Sequence, residues 1–89
     1  MPIVIYSEEK GSRWKRSLCF GKWELPRQVR ALDAWLKRNR KKMKSGHYIA
    51  DIGFMVRKGA GGGGAAISPE MMRKMADLGM SLFLSEYRR

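Results

Sequence analysis

The stretch ELPRQVRALDAWLKRNRKKMKSG, residues 24–46, has the pattern of an amphipathic helix. Its apolar residues recur at helical spacing and fall on one face: Leu25, Val29, Leu32, Leu36 and Met43. Pro26 suits the first turn, where its missing N–H group removes no hydrogen bond. Gly46 is typical of a helix C-terminal cap. We therefore expect a helix that ends near Gly46 and packs its apolar face against a sheet.

The opposite face of this predicted helix is basic. At about 100° per residue, six cations cluster there: Arg27, Arg30, Lys37, Arg38, Lys41 and Lys44. After Glu24, only Asp33 supplies a compensating carboxylate within the helix. The stripe can be a solvated face that keeps the protein in solution, or it can contact an anionic partner. The near absence of acids favours contact.

Two β-rich runs precede the helix. Residues 2–8 (PIVIYSE) lead into a turn signal, EKGS, at residues 9–12. Residues 13–23 then alternate in polarity, apart from Arg16, and their apolar side chains share one side: Trp14, Leu18 and Phe20. We expect these two runs to form a β-hairpin.

The second half of the chain predicts a strand, a helix and a final strand. Residues 47–56 (HYIADIGFMV) alternate in polarity as a strand does, and the Gly-rich residues 59–66 predict a flexible loop. Residues 67–79 (ISPEMMRKMADLG) have Ser68 as an N-cap and a terminal glycine as the stop. Residues 80–87 (MSLFLSEY) close the chain as a strand.

The element order is therefore ββαβαβ. The apolar alternation suits an antiparallel or mixed sheet of about four strands, with both helices covering one face. The sequence predicts the α+β class.

The composition is that of one small basic domain. We expect a single domain over residues 1–89, since a hydrophobic fraction of 44% fills a modest core. Nineteen Lys and Arg against eight Asp and Glu give a formal net charge of +11, which favours nucleic acid or an acidic protein surface as partner. A domain of this size buries a modest share of its surface, so homodimerisation would add stability.

The sequence predicts a cytoplasmic protein. Residues 1–15 lack the charged and apolar segments of a signal peptide. No apolar stretch approaches the roughly 20 residues that span a bilayer. The apolar face of the basic helix is needed by the sheet, so we expect no membrane binding. The single cysteine, Cys19, has no internal disulfide partner, which suits a reducing compartment.

The run GGGGAAISPEMMRKMADLGMSLFLSEY, residues 61–87, resembles the ending of a family of uncharacterised bacterial and phage domains. Their pattern is a Gly-containing loop, a capped helix and a last strand that ends in tyrosine. Residues 28–39 and 48–56 are similar in kind to the family's middle helix and strand, so the resemblance covers roughly residues 23–87. It implies an α+β unit and supplies no activity. This chain departs from the family in having a shorter N-terminal portion and more basic residues.

Tryptophans are interleaved with a second group of cations near the N-terminus. A base can stack on an exposed indole beside a cation, which contributes about 1–3 kcal/mol per base. Alternatively these rings fill the core, because tryptophan is highly buried on average. Trp35 lies on the border between the apolar and basic helix faces, so of the three tryptophans it is the one that we expect to be partly exposed. The further candidate contacts are therefore Arg13, Lys15, Arg16 and Trp35.

No arrangement of residues predicts catalysis. His47 and Cys19 are the only histidine and the only thiol, whereas a zinc site needs three or four ligands. The Gly-rich loop before the second helix lacks the Gly-Lys-Ser/Thr ending of a phosphate-binding P-loop, and a flexible connection is the simpler interpretation. We expect no enzyme activity, no metal and no cofactor.

Two functions compete. The first is a non-enzymatic domain that binds nucleic acid through phosphate contacts of the basic helix. The second is a small protein that docks on an acidic or nucleic-acid-binding surface of a larger complex. An immunity-type protein or a phage anti-defence inhibitor, including the anti-CRISPR type, would fit the second function.

Overall fold

The computed structural model describes residues 2–18, 21 and 23–87. Its elements follow the predicted ββαβαβ order, which confirms the α+β class. A short 3₁₀ helix, Arg40–Lys42, follows the first α-helix. The strands and α-helices are β1 (Ile3–Ser7), β2 (Lys15–Leu18), α1 (Leu25–Asn39), β3 (Tyr48–Met55), α2 (Pro69–Leu78) and β4 (Met80–Tyr87).

The four strands form one mixed sheet in the order β2-β1-β3-β4. β1 pairs antiparallel with β2 and with β3, so the predicted hairpin is confirmed for the described residues. β3 and β4 are parallel, because α2 carries the chain back across the sheet between them. Phe20 and Cys19, which were assigned to the hairpin, lie outside the described residues.

One hydrophobic core lies between one sheet face and both helices. The sheet contributes four fully buried side chains: Ile3, Ile5, Ala50 and Ile52. The helices contribute seven buried side chains: Val29, Leu32, Trp35 and Leu36 from α1, and Met71, Met75 and Leu78 from α2. Because each buried aliphatic side chain of this size stabilises the fold by about 1.5–3 kcal/mol, this cluster fixes which side of α1 faces solvent.

A buried amide links α1 to the sheet. Gln28 is fully buried within the apolar stripe of α1, and its side-chain amide donates to the Gly53 carbonyl of β3. A buried amide without such a partner would cost about 1–3 kcal/mol. This bond therefore sets the height of α1 along β3 as well as its rotation.

The C-terminal end of α1 differs from the prediction. The helix ends at Asn39, whose side-chain amide donates to the Trp35 carbonyl at 2.9 Å, and Met43 is extended with φ −103° and ψ 142°. Continuing the helix would stack like charges four residues apart, as at Lys37–Lys41 and Arg38–Lys42, and such pairs destabilise a helix. Met43 instead turns inward and packs against the core.

The predicted cap at Gly46 is also wrong, because this glycine serves a different junction. Its N–H donates to the Leu78 carbonyl at 2.9 Å, and the Tyr48 N–H donates to the Gly79 carbonyl at 3.0 Å. Gly79 adopts a left-handed conformation with φ 71°, and a Cβ there would lie 1.8 Å from the Gly46 carbonyl oxygen. The start of β3 and the end of α2 are thereby joined backbone to backbone.

The predicted caps of α2 are confirmed. The Ser68 side chain accepts a hydrogen bond from the Met71 N–H at 3.1 Å, as an N-cap should, and Gly79 forms the C-cap. The Gly-rich loop before this helix is exposed throughout.

The other sheet face carries no helix within the described residues. Its side chains include Tyr6, Ile49 and Phe83, and the Ser85 hydroxyl donates to the Asp51 carboxylate at 2.6 Å. No helix in this described part of the chain is long and apolar enough to cross a bilayer.

Candidate functional site

The solvent side of α1 presents the predicted cations. The buried residues Val29, Leu32 and Leu36 fix the rotation of the helix, and Arg27 and Arg30 are exposed opposite them. The other four cations predicted for this face are also exposed: Lys37, Arg38, Lys41 and Lys44. Lys41 belongs to the 3₁₀ helix and Lys44 follows it, so the stripe continues past the end of α1.

Ion pairs neutralise the side of α1 that faces α2. The Asp33 carboxylate lies 3.4 Å from the Lys37 ammonium and 3.6 Å from that of Lys74 on α2. Arg40 donates to the Asp77 carboxylate at 2.9 Å. Lys37 is therefore partly neutralised, which separates it from the other predicted cations.

The remaining predicted cations of the stripe carry no ion pair in the described part of the chain. Eleven residues separate Arg27 from Arg38, so the two lie within about 20° of each other around the helix axis, with Arg30 between them along it. Arg27 and Arg38 project on the side away from Asp33, whereas Arg30, three residues before Asp33, projects closer to it. α1 therefore has a balanced side toward α2 and an uncompensated side toward the hairpin.

A cluster of aromatic rings fills the space between α1 and the hairpin. The Trp14 ring lies 6.2 Å from the Trp35 ring and packs edge-on against Tyr48 at 5.5 Å, between ring centroids. Trp35 is only 7% exposed. The prediction that Trp35 is the tryptophan likeliest to be partly exposed is therefore wrong. A helical wheel places it at the border of the helix, but it cannot show that Trp14 covers it.

Trp14 itself is half-buried and carries a cation on its outer side. The Arg16 guanidinium carbon lies 5.1 Å from the centroid of the Trp14 ring, which is cation–π geometry. Through this ring the β2 arginine is linked to Trp35 of α1. Of the three tryptophans that the sequence places among cations, Trp14 is thus the one that contacts a cation of the hairpin.

The three predicted cations of the hairpin do not all lie on one face of the sheet. Arg16 pairs with Ile5, whose side chain is in the core, so Arg16 lies on the helix-bearing face of the sheet. Lys15 pairs with Tyr6 and therefore lies on the opposite face. Arg13 precedes β2 and is exposed. Lys15 consequently cannot share a flat ligand with α1, because successive strand residues point in opposite directions.

The stripe and the hairpin meet at one end of the sheet. The Tyr48 hydroxyl donates to the Lys44 carbonyl at 2.8 Å, and the same Tyr48 ring contacts Trp14. We use the name cationic ridge for the exposed cations, without an ion pair to another described residue, that run along α1 toward this end and onto β2: Arg16, Arg27, Arg30, Arg38, Lys41 and Lys44. Lys42, which the sequence analysis left out of the face, is also exposed beside Lys41, and its position in the same basic run was the available signal.

The Gly-rich loop lies at the other end of the sheet. It borders a cavity of about 280 Å³ together with the start of α1 and the ends of β3 and β4. Two carboxylates, Glu24 and Glu86, line this cavity, and the Arg57 guanidinium donates to the Gly62 carbonyl of the loop. The acids disfavour an anionic ligand here.

Residues with catalytic or metal-binding chemistry are scattered. His47 is exposed at the start of β3, and Cys19 lies outside the described residues. Among residues 2–18, 21 and 23–87, no three His, Cys, Asp or Glu side chains come together in a way that could hold a metal ion.

Comparison of the chain with models of known protein families, with curated proteins and with solved structures gives no match. The resemblance of residues 61–87 to uncharacterised bacterial and phage domains stays a prediction.

Proposed function

We propose that this protein is a non-enzymatic binding protein that holds nucleic acid by its phosphates through the cationic ridge. The observation that supports the proposal is that the ridge cations are exposed and that none of them forms an ion pair with another described residue. Clustered cations without counter-charges repel one another, and an anionic ligand relieves that repulsion. Each phosphate that they neutralise also releases counterions, which favours binding.

The dimensions of α1 suit a phosphate backbone. The distance from Arg27 to Arg38 along the axis is about 16 Å at 1.5 Å per residue. That length corresponds to about five base-pair steps of duplex DNA at 3.4 Å each. A helix of this length can follow several successive phosphates of one strand.

The ridge should bind with little sequence preference. Phosphate contacts fix the position of a protein on nucleic acid and carry no sequence information. The Trp14 ring is half-buried and is occupied on one side by Arg16, and Trp35 is buried, so neither ring offers a free face of the kind that stacks on bases. Affinity should therefore depend on salt concentration far more than on sequence.

The test is a charge reversal with a matched control. Arg30→Glu with Arg38→Glu reverses two ridge cations, and Lys58→Glu with Arg73→Glu reverses two exposed cations that lie off the ridge. Both double variants have the same net charge. We expect the ridge variant to lose binding to duplex DNA in a gel-shift titration at low salt, whereas the control keeps most of it. Equal losses would show that net charge alone drives binding, and unchanged binding by the ridge variant would refute the proposal.

A salt titration measures how many contacts the ridge makes. The logarithm of the affinity should fall with the logarithm of salt concentration by about 0.9 per neutralised phosphate on duplex DNA. The slope should be shallower by about 0.9 for each ridge cation replaced singly by glutamine. A slope that stays constant across single substitutions would place the contacts elsewhere.

An acidic protein surface is the second candidate partner for the ridge. Four of its six members are arginines, and arginine is enriched at protein interfaces, where its planar group binds carboxylates in pairs. Polyglutamate provides carboxylates without phosphates and can compete with labelled duplex DNA. Displacement of the DNA by a lower charge concentration of polyglutamate than of unlabelled DNA would favour this second function.

A further inference from the structure

The two edges of the sheet differ in length and in chemistry. β2, at one edge, has four residues and includes Lys15 and Arg16. β4, at the other edge, has eight residues, contains no lysine, arginine or proline, and includes a single charged residue, Glu86. A short edge strand, or lysine side chains on it, protects a sheet edge against pairing with another chain. β4 is long and contains no lysine.

Exposed apolar side chains are concentrated on β4. Phe83 is 56% exposed, Leu84 is 52% exposed and Tyr87 is 50% exposed. They account for three of the five large hydrophobic side chains that the described residues expose; the others are Val56 and Met72. Phe83 lies on the sheet face without a helix and Leu84 on the helix-bearing face, so both faces of the edge are apolar.

We propose that β4 pairs with β4 of a second copy of this chain, antiparallel about a two-fold axis. The two four-stranded sheets would join into one sheet of eight strands. Unpaired N–H and C=O groups along β4 would find partners, and the exposed apolar side chains would lose contact with water. This assigns a place to the expected homodimer, and it does not depend on the proposed function of the ridge.

The alternation of side chains limits the register of such a pair. In an antiparallel two-fold pair, directly opposed residues must point to the same face, so their numbers differ by an even count. A pair centred on Phe83 places the two Phe83 rings opposite each other and each Leu82 opposite a Leu84 of the other copy. Aromatic and aliphatic cross-strand pairs of this kind stabilise a sheet. A pair centred on Leu84 would instead place the two Leu84 side chains opposite each other and each Phe83 opposite a Ser85 of the other copy, so the paired Phe83 rings would be lost.

The cations of β2 do not oppose pairing through β4, although the chain has a net charge of +11. β2 lies three strand positions from β4, and strands are about 4.8 Å apart, so the two β2 strands of the dimer would be roughly 34 Å apart. That distance exceeds the Debye length of about 8 Å at physiological salt. Repulsion between Arg16 and its counterpart in the other copy is therefore largely screened.

The first test is the mass of the protein in solution. We expect a dimer by light scattering or sedimentation, with a dissociation constant that Phe83→Lys raises by about tenfold or more, because two like charges then face each other. Met72→Lys is the matched control, since Met72 is 50% exposed on α2 and the substitution adds the same charge. A monomeric wild-type protein at millimolar concentration, or equal effects of the two substitutions, would overturn the proposal. If the edge binds an extended peptide of another protein instead of a second copy, the wild-type protein will be monomeric in this experiment.

The second test concerns the register. In a Cys19→Ser background, Phe83→Cys should give a disulfide-linked dimer under mild oxidation, because directly opposed residues lie within the Cα distance that a disulfide spans. Ser81→Cys should not, since residue 81 would face residue 85 of the other copy. Cross-linking by Ser81→Cys as readily as by Phe83→Cys would reject the register.

Salt separates this proposal from the proposed function. Added salt should strengthen the dimer, because it screens repulsion between two cationic chains, and it should weaken nucleic-acid binding. Phe83→Lys should weaken the dimer by the same factor as in the first test and leave nucleic-acid binding by the ridge intact. A dimer whose affinity falls with salt would contradict the proposed apolar pairing.

Discussion

The two helices of this protein pack on the same sheet face but differ in their charges. α2 carries two acids and two bases: Glu70, Arg73, Lys74 and Asp77. α1 carries four bases and one acid: Arg27, Arg30, Asp33, Lys37 and Arg38. Both begin with a proline in the first turn, and both bury an apolar stripe in the same core. Packing therefore accounts for the stripes, and the excess charge of α1 is not required by packing.

The two helices also obtain stability from different sources. α2 has a side-chain N-cap and a glycine C-cap, so its ends are satisfied locally. The side chain of the α1 N-cap residue, Glu24, accepts no capping hydrogen bond from the first turn of the helix, and that turn contains no acid. α1 depends instead on its buried side chains and on the Gln28 bond to β3. Substitutions that remove a buried side chain, a cap or a charge should consequently change the free energy of unfolding by different amounts in the two helices.

The largest expected effect is the removal of the buried α1 ring. Trp35→Ala should lower the free energy of unfolding by about 3–5 kcal/mol, because it leaves a cavity against Trp14 and the core. Trp14→Ala should cost less, since that ring is half-buried. Urea unfolding followed by circular dichroism measures both. A smaller loss for Trp35 than for Trp14 would contradict the packing described here.

The second largest loss of stability is expected at the C-terminal end of α2. Gly79→Ala should lower the free energy of unfolding by about 2–4 kcal/mol, because φ is 71° and a Cβ would collide with the Gly46 carbonyl. Gly61→Ala is the control, because no atom lies within 4 Å of the Cβ that this substitution adds. It should change stability by less than about 0.5 kcal/mol. Similar losses at the two glycines would rule out the close approach as the cause.

A smaller effect tests the N-terminal cap of α2. Ser68→Ala should cost about 1 kcal/mol, because the Met71 N–H loses its acceptor. Ser68→Asp should keep most of the stability, since aspartate is also a good N-cap and favours the helix dipole. Thermal unfolding of both variants gives the comparison. Equal destabilisation by alanine and aspartate would show that the bond contributes little.

The smallest change in stability is expected for substitutions in the ridge. This prediction tests most directly whether the excess charge of α1 serves binding and not folding. Arg30→Glu with Arg38→Glu should change the free energy of unfolding by less than about 0.5 kcal/mol per site, because both side chains are exposed and neither forms an ion pair with another described residue. The same variant should lose nucleic-acid binding. Large destabilisation would mean that these arginines serve the fold, and the contrast between the helices would then disappear.

Local signals were sufficient to predict most of the fold. The Ser68 cap, the Gly79 stop and the alternation of β3 each depend on a few neighbouring residues, and each is confirmed. The same holds for the outward position of the α1 cations. Periodicity determines these features without reference to the rest of the chain.

The errors came from contacts between distant segments. The end of α1 was placed too late, because Gly46 looked like a cap and in fact approaches Gly79, more than 30 positions further along the chain. Trp35 was expected to be exposed, since its cover comes from Trp14 in another element. The hairpin cations were grouped by proximity in sequence, although strand geometry separates Lys15 from Arg16.

The position of the Gly-rich loop offers a place for a probe. Gly61 has open space around its Cβ and no positive φ, so a cysteine there can carry a fluorophore. The loop follows the C-terminal end of β3, whereas Trp14 and Lys44 cluster at its beginning, and eight strand residues span about 25 Å. In a Cys19→Ser background, a donor dye at residue 61 and an acceptor dye on a short oligonucleotide would thus report docking by energy transfer, with the label far from the Lys44 end of the ridge.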